Sequence, residues 1–166
     1  MTPAGLSREA IYIALGSNQD EPVVQIDRAL ATLDAHPDVQ VVAVSRLYRT
    51  PPWGVVDQPP FVNAAARLAS ELPPEALLDV LVGIEQAAGR QREQRWGPRS
   101  LDLDLLLYGD RQLDTPRLQL PHPRMHERAF VLVPLLDIAP EVAIPPHGLA
   151  ADLLNEVDRS GVEAIR

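Results

Sequence analysis

Residues 73–89, PPEALLDVLVGIEQAAG, restrict the fold more than any other stretch. A proline opens the segment, Leu77, Leu81, Ile84 and Ala88 fall on one stripe, and Gly89 takes the usual position just past a helix end. A one-faced helix must cover an apolar surface, and its neighbours in the chain read as strands: FVNAAARLA at 61–69 before it and SLDLDLLLY at 100–108 after it. The first third repeats the pattern. AIYIAL at 10–15 reads as a buried strand, and GSNQDEP supplies a turn with an aspartate cap and Pro22 near a first helical position. Ile26, Ala29, Leu30 and Leu33 then predict a helix over about 22–35 that ends before His36 and Pro37. VQVVAVSRLY at 39–48 predicts one strand, and TPPWGVVDQPP at 50–60 is a loop too rich in proline for a ladder.

The resulting order is β-α-β-β-α-β, which predicts a ferredoxin-like α+β sandwich with helices on one side of the sheet and the other face open to ligands. Residues 111–121 follow as a turn and a short extended piece, 124–136 as helical at first, and 150–157 as a short amphipathic helix. A length of 166 residues without a break in composition predicts one domain spanning 1–166. No apolar run is long enough to cross a bilayer, and the first ten residues lack the apolar core of a signal peptide, so the expected address is the cytoplasm.

Cysteine is absent, which excludes disulfides, thiolate zinc and thiol catalysis. The formal net charge of −8 argues against a general nucleic-acid surface, so any bound anion must meet a local positive patch. All 15 basic residues are arginine. Every phosphate contact would therefore come from guanidinium forks, and a P-loop, which needs a lysine, is excluded.

Alternation along 100–108 places Leu101, Leu103, Leu105 and Leu107 on one face and Asp102, Asp104, Leu106 and Tyr108 on the other. The two aspartates then stand about 6.6 Å apart at their Cα atoms, from a rise of ~3.3 Å per residue. Like charges side by side on a strand repel unless a cation lies between them, and that cation is either arginine or a metal. The preceding loop, GRQREQRWGPR, sets Arg90, Arg92, Arg95 and Arg99 against Glu93 alone, a local charge of +3. Bounded by Gly89, Gly97 and Pro98 with Trp96 inside, it reads as a movable lid. Carboxylates that hold Mg²⁺ beside clustered guanidiniums are the equipment of phosphoryl-type transfer from a nucleotide.

Two further groups accompany this pair. LPHPRMHERAF at 120–130 brings His122, Arg124, His126 and Arg128, as suited to an ordinary helix start as to phosphate. YRTPPWGVVDQPPFVN at 48–63 holds Tyr48, Trp53 and Phe61, three of the chain's seven aromatic side chains, together with Asn63. Flat rings and an amide suit a planar heterocycle, although core packing also accounts for Tyr48 and Phe61.

The segments ALGSN, SRLYRTPPWG with DQPPFVNAA, RWGPRSLDLDLLLYG and LPHPRMHERAFVLVPL, in that order over about residues 11–140, resemble the 6-hydroxymethyl-7,8-dihydropterin pyrophosphokinases of folate biosynthesis. The resemblance implies a ferredoxin-like monomer. It would bind ATP with two Mg²⁺ ions and move the β,γ-pyrophosphoryl group onto the pterin's hydroxymethyl oxygen, releasing AMP. Asp102 and Asp104 match the metal-holding pair. Arg90, Arg92, Arg95, Trp96 and Arg99 match the catalytic loop, with Arg90 and Arg99 as the direct phosphate contacts. Arg117, His122 and Arg128 match positions that grip the triphosphate, and Glu85 and Leu105 the nucleotide side. Thr50, Pro51, Trp53, Phe61, Asn63 and Phe130 match the pterin pocket, with Phe61 and Phe130 sandwiching the ring. The chain departs from the pattern in a shorter, lysine-free loop, in Pro123 after His122, and in Val82 and Gln119 near the nucleotide. Residues 1–9 lie outside the resemblance, as an N-terminal extension. The competing readings are another Mg²⁺-dependent phosphoryl or nucleotidyl transferase, and a ferredoxin-like module that binds RNA or senses a ligand.

Overall fold

A computed structural model describes residues 9–18, 21–51, 59–89 and 101–166. Five segments carry the main sheet: β1 (Ile11–Ser17), β2 (Val39–Val44), β3 (Tyr48–Thr50), β4 (Phe61–Ser70) and β5 (Asp102–Tyr108). β1 lies between β4 and β5, antiparallel to both, while β2 and β3 pair side by side with successive halves of β4. Helices α1 (Pro22–Ala35) and α2 (Pro74–Gly89) cover one face. Ile26, Ala29 and Leu33 of α1 and Leu77 and Leu81 of α2 pack there against Ile11, Ile13 and Leu15 of β1 and Leu103 and Leu105 of β5. Both helices thus occupy the residues predicted for them. The residue before α1 is Glu21 in a left-handed conformation (φ 57°), without a side-chain cap bond, and Pro22 supplies the fixed φ of a first helical position; the aspartate cap expected at Asp20 lies outside the described residues.

Three expectations about the sheet are corrected. The strand foreseen over 39–48 is two strands. At the break the Ser45 hydroxyl accepts the Ala65 N–H at 2.8 Å and donates to the Arg46 carbonyl at 2.7 Å, so a side chain takes the ladder position that a backbone carbonyl would hold. On β5 the alternation slips, because β1 pairs Tyr12 with Leu107 and Ile13 with Leu105, leaving Leu106 as an extra residue. A bulge of this kind sends the following side chains to the opposite faces. Leu107 therefore joins Leu106 away from α1 and α2, while Tyr108 joins Leu101, Leu103 and Leu105.

The second face is also only partly open. After a single 3₁₀ turn at Met125–Glu127, the regular helix α3 spans Ala129–Ile138, later than the sequence pattern suggested, and α4 (Ala150–Leu154) lies beside it. Leu132 and Leu135 of α3 and Met125 pack against Tyr12, Ala65, Leu106 and Leu107, and cover that half of the sheet. With apolar residues around most of its circumference, α3 shows no single stripe from which its side of the sheet could be read. Short strands complete the chain: β6 (Leu113–Asp114) with β7 (Gln119–Leu120), β8 (Ala143–Ile144) with β9 (Gly148–Leu149), and β10 (Glu163–Ala164), which extends the main sheet beyond β3.

Candidate functional site

The half of the second face that α3 leaves uncovered is a cavity of about 520 Å³. Strand register determines its floor. Tyr48 stands opposite Asn63, Asn63 opposite Gly16 and Gly16 opposite Asp102, so one row of side chains crosses four strands. A second row runs from Ala65 through Ala14 to Asp104. Strands lie roughly 4.8 Å apart, which puts Asn63 and Asp102 about 10 Å from each other at their backbones, with Gly16 between. A glycine flanked by an amide and a carboxylate leaves floor space for a flat molecule of that width.

Thr50 of β3, Phe61 of β4 and Phe130 of α3 complete the walls, with Arg124, Glu127, Arg128 and Val131 on the side of the 3₁₀ turn and α3. Thr50 and Asn63 are 4% and 7% exposed, and the Asn63 Oδ1 has no hydrogen-bond partner among the described residues. A buried amide oxygen without a partner costs stability unless something supplies a donor, and this one lines the cavity. The Arg128 guanidinium lies 5.6 Å from the centroid of the Phe130 ring, which keeps a cation beside the apolar wall.

A second cavity, about 300 Å³, lies on the outer side of β5. Leu103, Leu105, Leu78, Thr115, Arg117, Gln119, His122 and Pro123 are among its walls, and Asp104 belongs to both cavities. Two pegs hold the outer edge of β5 there: Leu103 donates its N–H to Glu85 Oε2 at 2.7 Å, and His122 donates its N–H to the Leu106 carbonyl at 2.9 Å. Burial holds the His122 imidazole below its ordinary pKa, with Asp104 opposing and Arg128 and Arg124 adding to the effect. Its Nδ1 accepts the Arg124 N–H at 3.2 Å, so the neutral ring carries its proton on Nε2 and offers a donor. Arg117 is bound by Asp79 of α2 at the rim.

The structure thus brings Asp102, Asp104, Thr50, Phe61, Asn63, Phe130 and Arg128 together around the larger cavity, and Leu105, Arg117 and His122 around the smaller. Arg128, expected with the triphosphate group, lies on the larger side. Glu85 acts through the strand edge and lines neither cavity, and Pro51, at the end of β3, is exposed and also lines neither. Trp53 and the loop residues Arg90, Arg92, Arg95, Trp96 and Arg99 lie outside the described residues. Sequence reasoning passed over Gly16 and Ala14 as floor, Glu127 as wall, and Arg124 as more than part of a polar cluster. A glycine inside an apolar strand was the available signal for close approach by another group.

The fold and these cavities define an α+β protein with a two-chamber site at one edge of an antiparallel sheet. A family model for 7,8-dihydro-6-hydroxymethylpterin-pyrophosphokinase matches residues 12–140. The chain is 48% identical over 157 residues to the 2-amino-4-hydroxy-6-hydroxymethyldihydropteridine pyrophosphokinase of Pseudomonas aeruginosa, covering 95% of this chain and 97% of that one. It is 44% identical over 145 residues to the protein of the same name from Haemophilus influenzae, covering 87% and 91%. Among solved structures, Plasmodium falciparum HPPK-DHPS with pteroate aligns with a TM-score of 0.72 at 14% identity, a likeness of fold. That alignment covers 94% of this chain and 43% of the longer one. The chain belongs to the 7,8-dihydro-6-hydroxymethylpterin-pyrophosphokinase family.

Proposed function

We propose that this chain transfers the β,γ-pyrophosphoryl group of ATP to the hydroxymethyl oxygen of 6-hydroxymethyl-7,8-dihydropterin, releasing AMP, as a step of tetrahydrofolate biosynthesis. One observation carries the reading: Asp104 is wall to both cavities, so a donor on one side and an acceptor on the other meet at a carboxylate. The pterin takes the larger cavity. Phe61 and Phe130 face its ring and the Asn63 Oδ1 accepts one of its N–H groups. ATP takes the smaller cavity, with the base against Leu103 and Leu105, and His122 and Arg117 toward the phosphates.

Asp102 and Asp104 fit Mg²⁺. Both are half-buried, both line the larger cavity, and two carboxylates together with substrate phosphates and water are the usual donors for this ion. Two ions held there would neutralise the polyphosphate and lower the pKa of the attacking hydroxyl. The residues of the chain do the positioning. The alcohol oxygen forms a bond to the β-phosphorus while the bond from that phosphorus to the α,β-bridging oxygen breaks, and AMP leaves with the electron pair. The hydroxyl proton departs toward the carboxylates on that wall. Arg99 precedes Asp102 by three residues in the sequence. Arg90 directly follows α2. Both are assigned to the transferring phosphates, with Arg92, Arg95 and Trp96 in the same loop.

The strand order supports the finer reading of the fold. With β2 and β3 counted as one bent strand, the sheet and the two helices on its first face correspond to a ferredoxin-like sandwich, to which α3 and α4 are added. The test is product identity. Incubation with ATP, Mg²⁺ and the reduced hydroxymethylpterin is expected to give AMP and the pterin diphosphate in equal amounts. ADP with a pterin monophosphate, or free pyrophosphate, would overturn the proposal in favour of a different transferase.

A further inference from the structure

Tyr48 stands beside Asn63 in the row that floors the larger cavity, and its hydroxyl donates to Asp137 Oδ2 at 2.6 Å. Asp137 also accepts the Arg46 N–H at 3.2 Å, so both ends of the turn into β3 hang on one carboxylate of α3. Asp137 follows Phe130 by seven residues, two helical turns, so the two share a stripe of α3 about 10 Å apart. Thr50, two residues beyond Tyr48 on the same face of β3, pairs with Phe61. The bond from Tyr48 to Asp137 therefore joins the strand pair carrying Thr50, Phe61 and Asn63 to the helix carrying Phe130.

We propose that Tyr48 and Asp137 are a positioning pair for the acceptor side of the site, setting the gap between Phe61 and Phe130 and the direction of the Asn63 amide. Neither lines the larger or the smaller cavity described above, and each acts through the residues it anchors. The smaller cavity is built from α2, β5 and the segment 115–123, none of which this bond touches. Its occupant is expected to be unaffected.

This inference rests on the functional reading above, and steady-state kinetics with both substrates varied tests the two separately. Tyr48→Phe keeps the ring and removes the donor. It is expected to raise the pterin KM by about tenfold, with the ATP KM and kcat changed by less than about twofold. Asp137→Ala should do the same, whereas Asp137→Asn, which retains an acceptor, should stay within about twofold of the wild type. The double variant Tyr48→Phe/Asp137→Ala should be no worse than Asp137→Ala alone, which already removes the bond from Tyr48 together with that from the Arg46 N–H. An unchanged pterin KM in Tyr48→Phe, an equal rise in both KM values, or additive effects in the double variant would overturn the positioning role. A wild type that neither binds the pterin nor forms its diphosphate would overturn the functional reading instead.

Discussion

Leu103 gives its backbone N–H to the Glu85 carboxylate across 2.7 Å, at the outer edge of β5 and between the two aspartates. Among the described residues β5 ends the sheet and its outward groups have no strand partner, and α2 supplies the acceptor with a side chain. Glu85→Ala leaves that donor unpaired and should cost about 1–3 kcal/mol of stability. Glu85→Gln keeps a carbonyl oxygen and should cost about 1 kcal/mol or less. Denaturant unfolding of the two variants checks the difference, and equal losses would show that the bond contributes little.

Asp102 lines only the larger cavity, whereas Asp104 lines both. Asp102→Ala and Asp104→Ala should each lower kcat by about a thousandfold, through loss of charge stabilisation around the transferring group. Asp104→Ala should also weaken Mg²⁺-dependent ATP binding more than Asp102→Ala does. Turnover near the wild-type rate in both variants would remove the carboxylate pair from the mechanism.

Asn63→Ala separates binding from folding. The Oδ1 atom has no partner among the described residues, so its removal should change stability by less than about 1 kcal/mol. Pterin affinity should fall by about tenfold or more, since the ring loses an acceptor in a buried position. Equilibrium titration with the pterin, read beside a thermal melt, measures both.

Burial, followed by the bond to Asp137, pushes the Tyr48 hydroxyl up to about 12 from its usual 10. A raised pKa stabilises the fold fully below pH 10, and that contribution is lost as pH rises through 12. Tyr48→Phe cannot lose it. The stability gap between the wild type and Tyr48→Phe should therefore narrow between pH 10 and 12, by on the order of 2 kcal/mol. Urea melts across that window test the sign, and a constant gap would contradict it.

The helices were legible in the sequence because Leu77 and Leu81, and Ile26, Ala29 and Leu33, mark a single stripe each, and the structure buries those stripes. Leu106 and Ser45 hid the rest of the sheet. An extra residue in a leucine run leaves no mark in composition, yet it moved Leu107 and Tyr108 to the opposite faces. A serine standing in for a backbone acceptor split a run that reads as one strand. Asp102 and Asp104 were recognisable because charge inside an apolar run is costly without a cation. That Asp104 belongs to two cavities depends on where the segment 115–123 returns against β5, a long-range contact that local pattern does not encode.

Isothermal titration of the wild-type protein with a non-hydrolysable ATP analogue, Mg²⁺ and the pterin, added in either order, tests most directly whether two chambers hold donor and acceptor together. The predicted result is one nucleotide and one pterin bound at the same time, with nucleotide binding dependent on Mg²⁺ and weakened in Asp104→Ala. Mutual exclusion of the two ligands, or nucleotide binding indifferent to both Mg²⁺ and Asp104, would contradict it.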